Sequence, residues 1–182
     1  MSYSINVVEP RKIESDDLKA VLDYWEQARG KKFAPTYGSE FCLEDIPPEI
    51  VPCCTVVDVI DGGEDFKYRF WGTQNVTIKG FEMSGRRVSE CTQEEFVSYG
   101  LKQFREVMNR KAPTAFFYLK EYKNLQNRKF ISARFPLSSD GETIEKIFSW
   151  QNLIDKSEQS AQMFDSLNDP QKVQLLSVLA VC

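Results

Sequence analysis

The chain has 182 residues, 23 Lys+Arg against 27 Asp+Glu for a net charge of −4, and no histidine. This length, with 42% hydrophobic residues, describes one domain able to bury its own core. The missing imidazole excludes a Ser-His-Asp or Cys-His apparatus, a His-ligated haem and imidazole zinc sites. A mildly acidic chain without a basic stripe also argues against nucleic acid as a partner.

Residues 1–12 hold no apolar run between a basic start and a small-residue cleavage site, so no signal peptide is expected. No window approaches 18 uncharged apolar residues, so no membrane span is expected. Cys42, Cys53, Cys54, Cys91 and Cys182 form an odd set without C-x-x-C spacing, which fits free thiols in a cytoplasmic protein. The adjacent Cys53 and Cys54 read as small hydrophobes at the entry of a strand, with a redox switch as the alternative.

A first helix is expected over Asp16–Arg29. Ser15 is its N-cap, Asp16 and Asp17 lie in the first turn, and Leu18, Val21, Leu22, Trp25 and Ala28 share one face. Gly30 ends it and Pro35 prevents a restart. Two strands follow, Cys54–Ile60 and residues 66–71, joined by the turn Asp61-Gly62-Gly63-Glu64. Alternation puts Phe66, Tyr68 and Phe70 on one face of the second, with Arg69 and Trp71 on the other. After an irregular segment, Thr92 and Glu95 have the spacing of a capping box. They open a long helix with a stripe of Phe96, Val97, Leu101, Phe104, Val107 and Met108, closed by Asn109-Arg110-Lys111 and Pro113. Three strands complete the set: Thr114–Tyr122; residues 129–137, after a polar turn around 124–127; and residues 143–153, after Ser138-Ser139-Asp140-Gly141. A last helix is expected over residues 170–181, too apolar to stand alone in water, packing on its own domain or on a second subunit. Two plus three strands around helices give an α+β domain with an antiparallel sheet.

Read with this element order, residues 71–88 resemble part of a PAS domain. The stretch Gly80-Phe81-Glu82-Met83-Ser84-Gly85-Arg86 is similar to the Gly-Tyr-x-x-x-x-x-Gly-Arg signature of that family, shortened between its glycines. Tyr24-Trp25, Arg29-Gly30, Pro47-Pro48 and Phe70-Trp71-Gly72-Thr73 further resemble short stand-alone bacterial PAS-like proteins of uncharacterised function. The likeness spans residues 18–153. It implies a five-stranded antiparallel sheet with helices on one face, short helices after the second strand and a longer one before the third. The divisions are then an N-terminal flanking helix and linker (1–35), a PAS-like domain (36–155) and a C-terminal flanking helix (156–182). The resemblance also implies a sensory or regulatory module that binds a small molecule between sheet and helices or serves only to dimerise. Haem-binding members use a histidine in the long helix, which this chain lacks. Flavin photosensors carry Asn-Cys-Arg-Phe-Leu-Gln after the Gly-Arg, where this chain has Arg87-Val88-Ser89-Glu90-Cys91. Haem and photoactive flavin are therefore disfavoured, and the cofactor is left unassigned.

The candidate ligand-binding residues are Arg69, Trp71, Phe81, Tyr118, Trp150 and Gln151. An inward Arg69 needs a ligand anion or an internal carboxylate such as Asp58. Gln151 in an aromatic cavity reads a ligand's hydrogen-bonding edge, yet a strand glutamine also suits the solvent side of an alternating pattern. Which strand faces look inward is left open. Trp25, Leu176 and Leu179 are the expected interface residues for a homodimer or a protein partner bound through the flanking helices. With no attached output segment, any signal is expected to leave through such contacts. No paired carboxylates, phosphate loop or metal-ligand cluster stands out, so catalysis and a metal are not expected. A ligand-free interaction scaffold is the alternative, followed by an enzyme on a cystatin-like α+β cone.

Overall fold

The computed structural model describes residues 6–122, 125–153 and 176–177, with side chains for 6–117 and 130–153. β1 (Asn6–Val8) leads to α1 (Asp16–Arg29), and a long loop then enters the hairpin of β2 (Cys54–Ile60) and β3 (Asp65–Trp71). α2 (Thr73–Lys79) and α3 (Glu94–Arg110) follow, then β4 (Thr114–Tyr122), β5 (Leu125–Leu137), β6 (Lys146–Gln151) and the short β7 (Leu176–Ser177). All pair antiparallel in one sheet of order β3-β2-β6-β5-β4-β1-β7. The fold is α+β, and its order of two strands, a short helix, a long helix and three strands is the one the PAS resemblance implies.

Local chemistry sets most boundaries. The Ser15 hydroxyl accepts from the Leu18 amide at 3.2 Å, and Gly30 ends α1 at φ +53°. The β2–β3 turn passes through Gly62 and Gly63 at φ +68° and +98°, which side chains rarely tolerate. Gly72 is required for a different reason, close approach. It sits against the chain before β2, where a Cβ would lie 2.4 Å from the Pro52 carbonyl oxygen and 2.7 Å from that of Cys54. Gly72 of the resemblance is therefore a packing requirement, while Thr73 beside it is exposed.

Several expectations need correction. The capping box does not form: α3 begins at Glu94 behind Gln93, with no side-chain cap. β5 starts at Leu125, so residues expected in a polar turn are already strand, and β6 is shorter than residues 143–153. The long helix covers one face of the sheet, as expected, and the N-terminal flanking helix α1 covers the other. Leu18, Val21, Leu22 and Trp25 of α1 join Val56, Phe135, Phe148 and Trp150 in one cluster, while α3 packs the opposite face with Val57, Phe66, Tyr68 and Ile147. The core thus runs across residue 35 without a break. Trp25, expected at an interface, is 2% exposed inside this chain, its Nε1 donating to the Pro136 carbonyl at 2.9 Å. Of the expected last helix only Leu176 and Ser177 are described. They form a strand opposite Val7 and Asn6, so the helix reading fails at Leu176, and Leu179 lies outside the described residues.

Candidate functional site

Three central strands carry a polar band on the α3 side of the sheet. Thr55, Ser149 and Arg134 stand in register across β2, β6 and β5, with Ser132 and Gln151 paired one step along. All five are at least 95% buried. Polar groups in a core are costly unless hydrogen-bonded, so the band calls for partners. Gln103 of α3 supplies one: its Oε1 accepts from Arg134 Nε at 3.0 Å and Nη2 at 2.7 Å. Arg134 Nη1 donates to Ser149 Oγ at 3.0 Å, and the guanidinium lies 3.8 Å from the centroid of the Phe104 ring. Thr55 Oγ1 and Ser132 Oγ are buried with no hydrogen-bond partner among the described residues.

A second cation reaches this region from the end of α2. Lys79 Nζ donates to Asn75 Oδ1 at 2.6 Å and Gln151 Oε1 at 2.9 Å, and it stands 4.6 Å from the Trp71 ring centroid. Between Arg134 and Lys79 lies a cavity of about 50 Å³, walled by Tyr68, Phe81, Phe96 and Tyr99 and floored by Gln103 and Gln151. None of the described residues that line it is acidic. The aromatic walls interlock, with Phe81 and Phe96 centroids 5.3 Å apart in T-shaped contact. A wider depression of about 370 Å³ over the start of α1 mixes Arg11, Lys19, Asp16 and Asp23 on an open surface.

The sequence candidates divide around this cavity. Gln151 and Phe81 line it. Trp71 stands behind the wall, edge-on to Tyr68 at 4.7 Å, and donates from Nε1 to the Phe81 carbonyl at 3.2 Å. Its expected face is corrected by a β-bulge: Val56 pairs with Phe70 and Val57 with Tyr68, leaving Arg69 as the extra residue. That insertion resets the alternation and returns Trp71 to the side of Phe66 and Tyr68. Arg69 is not a cavity residue. Its Nε and Nη2 each meet a different oxygen of Asp58 at 3.0 Å, half exposed, and this fork raises the guanidinium pKa. Trp150 is also corrected, since it is buried in the α1-side cluster on the opposite face. Tyr118 pairs through its backbone with Phe130, and its side chain lies outside the described ones.

Sequence reading missed Lys79, Gln103 and Arg134. Gln103 had a signal, because Gly100, Gln103, Phe104 and Val107 follow the buried three-and-four spacing of α3. Arg134 had one too, as a lone charge between Ala133 and Phe135 in a strand buried from Phe130 to Leu137. Cys53 and Cys54 are buried thiols as expected. Burial pushes the Cys54 thiol well above its usual pKa, away from the thiolate a redox switch needs. Among the described residues no group of three Cys, Asp or Glu side chains could hold a metal ion, and no helix is long and apolar enough to cross a membrane.

No family model matches the chain, and no curated protein does. Among solved structures, one described as "Flavin Analogue Sheds Light on Light-Oxygen-Voltage Domain Mechanism" is similar at 13% identity, over 63% of this chain and 86% of that one, with a TM-score of 0.42.

Proposed function

We propose that the chain is a PAS-like sensory or regulatory module that binds a small organic ligand between the sheet and α3 and acts through contacts with other proteins. One observation carries the reading: a buried guanidinium, Arg134, is held by Gln103 and Ser149 at the floor of an aromatic-walled cavity. Burying such a group is expensive, and well-packed apolar residues commonly serve stability as well or better. Convergent polar groups in an otherwise apolar pocket are the usual make-up of a ligand site. The reading is one of binding, supported by the convergence of Arg134, Lys79, Gln103 and Gln151 on aromatic walls among the described residues.

The test compares the mass of the purified protein under native and denaturing conditions, with an absorption spectrum from the same sample. A bound mass lost on denaturation is the expected result. A bare protomer, together with no rise in melting temperature across a small-molecule library, overturns the proposal. It would favour the second reading, a ligand-free interaction scaffold, which the small size of the cavity supports: about 50 Å³ against the roughly 300–1,000 Å³ of common ligand pockets.

A further inference from the structure

We infer that the cavity beneath α3 takes a small organic ammonium ion, and that the ammonium of Lys79 holds the guest's place until it is displaced; the inference rests on the ligand-binding reading above and names its ligand class. Lys79 Nζ donates to Asn75 Oδ1 at 2.6 Å and to Gln151 Oε1 at 2.9 Å. It stands 4.6 Å from the Trp71 ring centroid and 5.5 Å from that of Phe96. Two amide oxygens and two aromatic rings converging on one nitrogen make a cage for a cation. The fold builds this cage independently of the lysine. Asn75 is fully buried, and its Nδ2 donates to the Cys54 carbonyl at 3.4 Å, which turns Oδ1 toward the ammonium. Gln151 is 5% exposed, held in the last turn-free stretch of β6.

The occupant of the cage is less fixed than its walls. Lys79 is half-buried, the last residue of α2, and is followed by the exposed Gly80 at φ +79°. A long lysine stem can carry its head back to water and regain rotamer freedom. Its departure leaves two buried oxygens short of a donor, so the guest that replaces it must bring N–H groups. Because ammonium replaces ammonium, the local charge is unchanged, and any other group that meets Lys79 there meets the guest instead. A tethered ammonium has a high effective concentration, so a guest must compete through contacts that the lysine lacks. Those contacts come from an apolar body against Phe81 and Phe96, filling the cavity of about 50 Å³ and the room that the lysine stem vacates. The class is therefore a primary amine on a small apolar body.

The experiment titrates the dialysed full chain at neutral pH, by calorimetry and thermal shift, with benzylamine, phenethylamine and butylamine and with the three matching alcohols. The expected result is that at least one amine raises the melting temperature and binds at least tenfold tighter than its alcohol. Lys79→Ala removes the internal competitor and should tighten that amine at least tenfold further, where loss of an ordinary binding residue would weaken it. Lys79→Met, which keeps an apolar stem at the end of α2, serves the same purpose should Lys79→Ala fail to fold. Phe96→Leu should weaken the amine at least threefold in either background. Equal binding of amine and alcohol overturns the inference and leaves the ligand-binding reading standing. Amine binding that the Lys79 variants leave unchanged or weaken has the same consequence, as does binding by those variants alone, since the lysine then does not yield its place. No probe bound while a species without an amino group co-purifies also overturns the inference only. No probe bound and a bare native mass overturn both.

Discussion

On the α1 side of the sheet, Phe41 meets Phe148 edge-on at 5.0 Å, Phe148 meets Phe135 at 5.7 Å, and Trp25 closes the row at 6.3 Å from Phe135. On the α3 side, the same central strands present Thr55, Ser132, Arg134, Ser149 and Gln151. One sheet therefore buries two unlike interiors, back to back and one residue out of phase. The difference separates two jobs. The dry face can supply stability through area removed from water, roughly 1.5–3 kcal/mol for each fully buried phenylalanine. The polar face contributes less net stability and holds groups whose positions matter. A buried polar band on one sheet face is tolerated because apolar clusters pack around it on that face and across the whole of the other.

The largest effect that could break this contrast is at the centre of the dry face. Phe148→Ala removes a fully buried ring and should cost about 3–5 kcal/mol in chemical denaturation. A loss below about 1 kcal/mol would show that the α1 side is not the stabilising interior.

The next effect is on the polar face. Gln103→Leu leaves the Arg134 fork without its amide oxygen and should cost about 1–3 kcal/mol. Adding Arg134→Met replaces both partners by apolar groups, so the double variant should recover most of that loss. The cycle then reads a coupling of at least about 1 kcal/mol. Additive losses would mean that the pair does not act as a unit.

How much of this was legible in the sequence follows from how local each signal is. α1 could be bounded to the residue because Ser15 and Gly30 act within a turn of it. The β2–β3 hairpin was equally plain, since Gly62 and Gly63 fix the reversal. β1 was not, because three residues become a strand only by pairing with β4, about 110 positions away. Trp71 was assigned to the wrong face because alternation carries no mark of the bulge at Arg69, which exists only in the register with β2. The Arg69–Asp58 pair was foreseeable as one of two outcomes, and the register chose it. For the site, period two identifies that Ser132 and Arg134 share a face. It does not say that this face meets α3, so Gln151 was found and its neighbours Arg134 and Lys79 were not.

The smallest expected effect concerns how the dry face is closed. The loop between α1 and β2 folds over the sheet, tied to the β5–β6 turn by Thr36 Oγ1 donating to the Ser138 carbonyl and by the Ser138 amide donating to that of Pro35. Glu40 clips this loop, accepting from the Lys32 ammonium and, at 2.8 Å, from the Thr36 amide. The Lys32 hydrogen bond and then the Thr36 amide hold its carboxyl down at about 2, from the usual 4.5. A pKa lower in the folded than in the unfolded chain means that the unfolded chain takes up the proton first. The clip's contribution is then fully present above about pH 4.5 and is lost as pH falls toward about 2. Glu40→Gln removes the titrating group while keeping an acceptor for Thr36. Urea midpoints of the two proteins should therefore differ most near neutral pH, with the parent higher, and converge between about pH 4.5 and 2. Parallel curves across that window would show that the clip adds nothing to closure, leaving Thr36 and Ser138 as the contacts that hold the loop on the dry face.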